Sequence, residues 1–336
     1  MKIVAILAAN DEPEIVDAHL AFHLAVGVDL VVAASGEAPD GTREILDSYA
    51  RKGKVETVPP DVEARADWRT VEARRAVAEH GADWILSSDS DEFWWPRGES
   101  LGDVLDVIPE RYEIVQALVR EFRARPGAGE FSDRLTMRPS LEVPRAHEPE
   151  PLEWALRPVY RADSTLSIDT RDPTAGGRRV PLRAWYPIEV LRFPFRSAEQ
   201  VGRRFGGGDP ASEPRSKTEA GLLEAGREGR IQEAYSALVG DDEGVRAALA
   251  ERSLVEDFRL RDVLASLRDR SHEGALALRA PGIVDDAAYA VECAAVGEVD
   301  LSRLDQHIRE LEDRIGVLEA RFWPRVARTL SRAVRR

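Results

Sequence analysis

Three acids, Asp89, Asp91 and Glu92, fall within four positions of one another and are the residues in this chain best suited to chemistry. They follow a short apolar segment, Trp84 to Leu86, whose length and composition predict a strand buried on both faces. In open α/β sheets, ligands bind just beyond the carboxyl ends of such strands. Paired carboxylate oxygens suit Mg²⁺ or Mn²⁺ shared with a diphosphate, so Asp89 and Asp91 form a candidate metal site.

A solvated acidic loop ahead of the next helix is the alternative interpretation, since two aspartates separated by one residue often arise by composition alone. In this chain the pair lies between a buried strand and the aromatic residues Phe93, Trp94 and Trp95. That context favours the ligand-binding interpretation.

Strands and helices alternate in the part of the chain that leads to these acids. The pattern predicts strands at Lys2–Ala8, Leu30–Ala34, Lys54–Val58 and Trp84–Ser88, with helices between them that include Thr42–Lys52 and Asp67–His80. The short connections predict an α/β fold with a mainly parallel sheet flanked by helices. The first strand is not followed by Gly-x-Gly-x-x-Gly, and no phosphate-loop lysine occurs, which excludes the usual dinucleotide-binding and P-loop classes.

A glycine run and a repeating apolar pattern divide the rest of the chain into predicted segments. The glycines at 206–208 predict a boundary, giving a first domain over 1–205, a helical extension over 206–299 and a C-terminal segment over 300–336. That segment opens with apolar residues spaced alternately three and four apart: Leu301, Leu304, Ile308, Leu311, Ile315, Leu318 and Phe322. The spacing predicts either a coiled-coil seam, with a homodimer formed through 301–322, or a helix packed on the body of the protein.

Charge and composition narrow the possible partners and the location. A net charge of −14 argues against general nucleic-acid binding, which needs a basic face. The tail from Arg321 to Arg336 nevertheless carries six arginines and no acid, which predicts either a solvated terminus or an amphipathic helix on an anionic membrane. With one cysteine and no apolar run of transmembrane length, the sequence predicts a cytoplasmic protein, with peripheral contact at the inner face of the plasma membrane as an option through the tail.

Five short blocks over residues 1 to about 200 occur in an order and spacing that resemble a known family. They are Asn10-Asp11-Glu12, the runs 19–29, 40–46 and 81–86, and Asp89-Ser90-Asp91-Glu92-Phe93-Trp94. The chain resembles bacterial family 2 glycosyltransferases with the GT-A fold, in the branch that pairs Asn-x-Glu with Asp-x-Asp-Glu-Phe-Trp. The resemblance implies a GT-A sheet with a C-terminal helical extension.

The resemblance also implies roles for individual residues. Asp89 and Asp91 match the motif that holds Mn²⁺ or Mg²⁺ and the donor diphosphate, with Asp91 the more direct ligand, and a metal is typical of the family but not obligatory. Asn10, Glu12 and Asp40 match loops that line the donor nucleotide pocket. Trp94 and Trp95 are expected either to wall the acceptor side or to pack in the core.

The chain departs from the family late in the first domain, where relatives carry histidines and this sequence has Arg192-Phe193-Pro194. We therefore expect Arg192, or an arginine of the pair Arg178-Arg179, to neutralise the diphosphate leaving group, since a guanidinium binds phosphate oxygens in a bidentate manner. The family's Asp after the second strand is replaced by Ser35. Candidate bases for the acceptor hydroxyl are Glu148, Glu150, Glu153, Asp169 and Asp172, with Glu148 and Asp169 ranked first.

These expectations describe an inverting transfer of a sugar from a nucleoside diphosphate to the hydroxyl of a glycan, a lipid-linked molecule or a small molecule. The alternative is a catalytically degenerate nucleotide-sugar-binding or scaffold protein of the same fold, which the missing histidines and Ser35 favour. A sugar-phosphate nucleotidyltransferase is disfavoured because Ala8-Ala9-Asn10-Asp11 is not its Gly-rich loop. A haloacid-type phosphatase is excluded because its acid pair follows the first strand instead of the fourth.

Overall fold

The computed structural model describes residues 1–9, 13–35, 41–63, 65–127, 129–140, 156–168, 179–183, 185–206, 216–269 and 283–333. The chain divides into two compact units, one formed by Met1–Leu182 with Tyr186–Ile283 and the other by Arg183–Trp185 with Val284–Arg336. The domain boundaries drawn from the sequence, after residues 205 and 299, stay predictions.

The first part of the chain alternates between strands and helices, as predicted. Its elements are β1 (Ile3–Ala8), α1 (Pro13–Ala25), β2 (Leu30–Ala34), α2 (Thr42–Ala50), β3 (Val55–Val58), α3 (Pro60–Glu63), α4 (Trp68–His80) and β4 (Trp84–Asp89). The strands are parallel, with β1 between β2 and β4. Gly81 ends α4 in the left-handed conformation at φ +64°, which glycine adopts without steric cost.

The middle of the chain completes a nine-stranded sheet in the order β3-β2-β1-β4-β8-β6-β10-β5, with β9 beside β6. Its elements are β5 (Glu92–Pro96), α5 (Leu101–Asp106), β6 (Ile114–Glu121), α6 (Phe131–Arg134), β7 (Met137–Pro139), β8 (Leu156–Arg161), β9 (Pro181–Leu182) and β10 (Ile188–Arg192). Strand β8 is antiparallel to both of its neighbours, and β5 is antiparallel to β10. The remaining pairs are parallel, which confirms the predicted α/β fold class with a mainly parallel sheet.

Helices dominate the last third of the described chain. The elements are α7 (Ala198–Phe205), α8 (Lys217–Arg227), α9 (Ile231–Val239), α10 (Asp242–Ala250), β11 (Leu254–Glu256), α11 (Arg259–Asp269) and α12 (Ile283–Ala333). A short strand, β11, separates the helices α10 and α11. Arg252 adopts a left-handed φ of +57° after α10, and β11 then pairs antiparallel with β7. Within the described residues, none of these helices is both long enough and apolar enough to cross a membrane.

An aromatic core lies next to the segment from Asp89 to Glu92. Phe93 contacts Phe22, Phe131 and Phe193 with ring centroids 5.5–6.2 Å apart. Trp94 and Trp95 are only 0% and 4% exposed. The two tryptophans therefore pack in the core, which is the second of the two roles expected from the sequence. Strand β5 lies at the edge of the sheet beside β10, and Trp95 is covered by Phe22 of α1, whose ring centroid lies 5.8 Å away.

Candidate active site

The acidic turn, defined as Asp89 to Glu92, joins the end of β4 to the start of β5. It brings Asp89 and Asp91 together and adds Glu92, with one carboxylate oxygen from each residue lying within 4.8 Å of the others. The backbone N–H of Asp89 donates to Glu92 Oε2 at 3.4 Å, and the N–H of Phe193 donates to the Asp91 carbonyl at 2.9 Å. The turn is thus anchored both by its own side chain and by the residue that follows β10.

The register of the parallel strands places this turn at one edge of the sheet. Ala8 at the end of β1 pairs with Asp89 at the end of β4 and with Ala34 at the end of β2. The carboxyl ends of the three strands therefore align, which is where α/β sheets bind ligands. Five further predicted site residues lie outside the described residues, namely Asn10, Glu12, Asp40, Glu148 and Asp169.

Each carboxylate of the turn faces an arginine from a different element. Arg69 of α4 donates from Nη2 to Asp89 Oδ1 at 2.5 Å and from Nη1 to the Ser88 carbonyl at 3.0 Å. Arg157 of β8 donates from Nε to Glu92 Oε1 at 2.8 Å. These are short, charge-assisted hydrogen bonds, and they fix the outer two acids. Neither arginine could be singled out from the sequence, because these contacts join positions far apart in the chain.

Arg192, at the end of β10, faces the middle acid more loosely. Its Nε lies 3.8 Å from Asp91 Oδ2, while its Nη1 and Nη2 lie 3.5 Å from Glu121 and 3.7 Å from Glu219. Burial alone would lower the pKa of Arg192, but the acids around it, Asp91 first, hold that pKa above its ordinary value. The guanidinium is therefore charged and borders three carboxylates. Glu219 of α8 comes from a segment that the sequence assigned outside the first domain.

Arg179, the described member of the alternative pair, is engaged elsewhere. It forms an ion pair with Asp163 and donates to the carbonyl of Arg161 at 3.2 Å. Arg178 lies outside the described residues. Arg192 is thus the predicted arginine that the structure places beside the acidic turn.

Asp91 is the least compensated acid of the three. Burial raises the pKa of Asp91 to about 6; Arg192 opposes this rise, while Glu92 and Asp89 add to it. A bound divalent cation would favour the ionised form of Asp91. Hard oxygen donors close together, one of them on a residue only 7% exposed whose nearest arginine nitrogen is 3.8 Å away, fit Mn²⁺ or Mg²⁺.

Two buried histidines of α1 hold the turn from below. His19 Nε2 lies 3.0 Å from Ser88 Oγ, and the indole Nε1 of Trp94 donates to the same hydroxyl at 3.1 Å. His23 Nδ1 lies 2.7 Å from the His19 carbonyl, and its Nε2 accepts from the Trp94 backbone N–H at 3.1 Å. Burial lowers the pKa of His23 to about 4, so the ring is neutral. Their four-residue spacing on an apolar helix was the available sequence signal.

Comparison with known proteins yields structural matches only. No family model matches the chain, and no curated protein matches it. Residues 1–349 of Staphylococcus aureus TarS in complex with UDP match at 13% identity and a TM-score of 0.34, over 83% of this chain and 99% of that one. A mannosyltransferase from Pyrobaculum calidifontis in complex with GDP-Man and Mn²⁺ matches at 13% identity and a TM-score of 0.37, over 88% and 86%.

A third match is glucosyl-3-phosphoglycerate synthase from Mycobacterium tuberculosis in complex with Mn²⁺, UDP-glucose and phosphoglyceric acid. It is 18% identical, with a TM-score of 0.26 over 48% of this chain and 56% of that one. TM-scores this low carry no argument about what this chain does. The α/β class of this protein follows from its own strand order. Its function is inferred from the acidic turn.

Proposed function

We propose that this protein is a glycosyltransferase that moves a sugar from a nucleoside diphosphate donor to an acceptor hydroxyl. The observation that carries the proposal is Asp91, a buried and poorly compensated acid at the ligand-binding edge of the sheet. It lies within a cluster with Asp89 and Glu92. The resemblance of the surrounding blocks to family 2 glycosyltransferases supports the same assignment.

The acidic turn would hold the metal ion in this proposal. Asp89 and Asp91 would be its ligands, while Glu92, which accepts from Arg157 and from the Asp89 N–H, supports the turn. When bound, Mn²⁺ or Mg²⁺ neutralises negative charge on a diphosphate as it leaves. The protein's share is to place the two aspartates, which Arg69 and the histidines beneath the turn accomplish.

The remaining roles belong to the chain's own charged groups. In an inverting transfer, the acceptor oxygen bonds to the anomeric carbon as the bond to the diphosphate breaks, and a carboxylate takes the hydroxyl proton. Glu148 and Asp169 stay the predicted bases. Arg192 is proposed to meet charge on the leaving diphosphate, because it is a cation next to Asp91 whose side chain is only 11% exposed.

Donor binding provides the first test. We expect one class among UDP-, GDP- and TDP-sugars to raise the unfolding temperature in the presence of Mn²⁺, since a ligand at a hundred times its Kd adds about 2.7 kcal/mol. Asp91→Asn should abolish the Mn²⁺-dependent part of this rise in unfolding temperature. Asp106→Asn, which removes an exposed acid at the end of α5, should leave the rise intact. No shift with any donor would contradict the proposal.

Arg192 is tested through donor affinity and turnover. We expect Arg192→Ala to weaken both, and Arg203→Ala, which removes an exposed arginine of α7, to change neither. Turnover and donor affinity unchanged in Arg192→Ala would rule out its role on the diphosphate.

A second candidate function is binding of a nucleotide sugar without transfer. It is favoured by the arginines that already face each acid of the turn, because these cations could replace a metal. This candidate predicts a donor-induced shift that needs no Mn²⁺, with no hydrolysis of the donor. Measurable hydrolysis that Asp91→Ala abolishes would count against it.

The acceptor is a glycan, a lipid-linked molecule or a small molecule, and peripheral membrane contact through the basic tail is proposed with it. The transferase domain is assigned to 1–205, the helical extension to 206–299 and the heptad helix to 300–336.

A further inference from the structure

The helix α12 carries an exposed row of large apolar side chains. Leu301, Ile308, Leu311 and Ile315 are 49%, 45%, 40% and 55% exposed. With Leu304 they follow the alternating three- and four-residue spacing of a heptad, which places them along one stripe of a helix. A stripe with a strict 3.5-residue period matches a second helix with the same period.

We propose that two copies of this chain associate through this stripe as a parallel, two-stranded coiled coil. Leu301, Ile308 and Ile315 occupy the heptad position called a, and Leu304 and Leu311 the position called d. β-Branched residues at a together with leucine at d favour two parallel strands over trimers and tetramers. The occupant of the stripe is therefore a second copy of the same helix.

Charges beside the stripe favour a parallel arrangement of the two helices. Position e holds Asp305 and Glu312, position g holds His307 and Arg314, and all four side chains are exposed. In an antiparallel pair, e faces e and g faces g, so acids would meet acids. In a parallel pair, g faces e of the following heptad in the other copy, which brings Arg314 opposite Glu319.

One charge pair at the start of the seam is unfavourable in the parallel arrangement. In the parallel pair Asp300 would face Asp305 of the other copy, where the seam begins and solvent screens the repulsion. The sequence continues the pattern with acidic Glu319 at e and basic Arg321 at g. Three heptads are the lower limit for a coiled coil, so we expect the dimer to dissociate on dilution.

The test uses the full chain and needs no donor or acceptor, so its outcome is independent of the proposed function. Sedimentation equilibrium over a range of concentrations should show twice the mass of the chain. Ile315→Asp should weaken self-association at least a hundredfold by placing a charge in the seam. Val317→Asp is the matched control, because Val317 is 53% exposed on the same helix but lies at position c, outside the stripe.

A disulfide trap tests the direction separately from any loss of folding. In a Cys293→Ser background, which removes the chain's one cysteine, Leu304→Cys places a thiol at position d. Oxidation should link two copies, because identical d residues face each other only in a parallel, in-register pair. A monomer at all concentrations, equal effects of the two aspartates, a trimer, or no cross-link in a dimer would each overturn the proposal.

Discussion

Two buried carboxylates, Glu189 and Asp91, face arginines in this protein and differ in how closely they are paired. Glu189, on β10, accepts hydrogen bonds from Arg97 at 3.0 Å, Arg120 at 2.8 Å and Arg259 at 2.8 Å. Burial would raise the pKa of Glu189, but the arginines, Arg259 first, hold it well below its usual value. The nearest arginine nitrogen to Asp91 lies 3.8 Å away, and the pKa of that acid is raised.

This difference in arginine pairing indicates that Glu189 has a structural role and that Asp91 is available to a ligand. Glu189 ties together Arg120 of β6 and Arg259 of α11, and Arg259 also pairs with Asp257 at 2.8 Å. Its desolvation is offset by short hydrogen bonds within the protein. Asp91 is also buried, yet its nearest arginine nitrogen lies 3.8 Å away, so a ligand could complete the pairing of its charge. Such uncompensated groups cluster at functional sites.

The largest effect that we expect is the loss of stability on replacing Glu189. Glu189→Gln should lower the free energy of unfolding by about 3–5 kcal/mol, because it leaves buried arginines without their partner charge. Urea unfolding measures the change. Glu199→Gln removes an exposed acid of α7 that pairs with Arg203 and should change stability by about 0.5 kcal/mol or less. A loss below about 1 kcal/mol for Glu189→Gln would mean that Glu189 does not hold these elements together.

Asp91→Asn should give the opposite result. We expect transfer activity to fall at least about a hundredfold, equivalent to about 2.7 kcal/mol of transition-state stabilisation. The free energy of unfolding should not fall by more than about 1 kcal/mol, since the amide removes a charge that burial disfavours. Activity assays and urea unfolding of the same preparation give both numbers. A stability loss as large as that of Glu189→Gln would remove the distinction between the two acids.

Acid pH should act through the histidines beneath the acidic turn while Glu189 stays paired. The pKa of His23 is about 4, so the unfolded chain binds more protons between pH 6.5 and 4, and stability falls as pH falls. We expect the stability difference between wild type and His23→Gln to drop by about 2 kcal/mol from pH 7 to pH 5. Groups whose pKa does not depend on His23 cancel in this difference.

The Glu189 contribution should follow another pH profile. Its folded pKa is depressed, so its stabilisation is present above the unfolded pKa and is lost only at lower pH. The difference between wild type and Glu189→Gln should therefore stay constant from pH 8 to pH 5. A parallel fall of both differences over that range would contradict the assignment to His23.

Local patterns in the sequence predicted the alternation of strands and helices and the meeting of Asp89 with Asp91. Each of these depends on residues that are neighbours in the chain or on strand order. The partners Arg69, Arg157 and Glu219 could not be predicted, because their contacts depend on tertiary packing. Glu219 is instructive: Ser216-x-x-Glu219 has the pattern of a helix capping box, and Ser216 Oγ does accept from the Glu219 N–H. The Glu219 carboxylate nonetheless faces Arg192 and Arg204.

The smallest effect that we expect is a change in donor affinity when one of the acids around Arg192 is removed. Glu219 lies 3.7 Å from Arg192 and 2.9 Å from Arg204, so Glu219→Gln removes one of the acids that compete for the Arg192 guanidinium. If Arg192 serves the donor diphosphate, this change should lower the donor Kd about two- to fivefold, less than about 1 kcal/mol. Calorimetric titration with the donor measures it, and Glu199→Gln should leave the Kd unchanged. A higher Kd in Glu219→Gln would show that Arg192 needs Glu219 to hold its position, which would make the arginine a structural partner like those of Glu189.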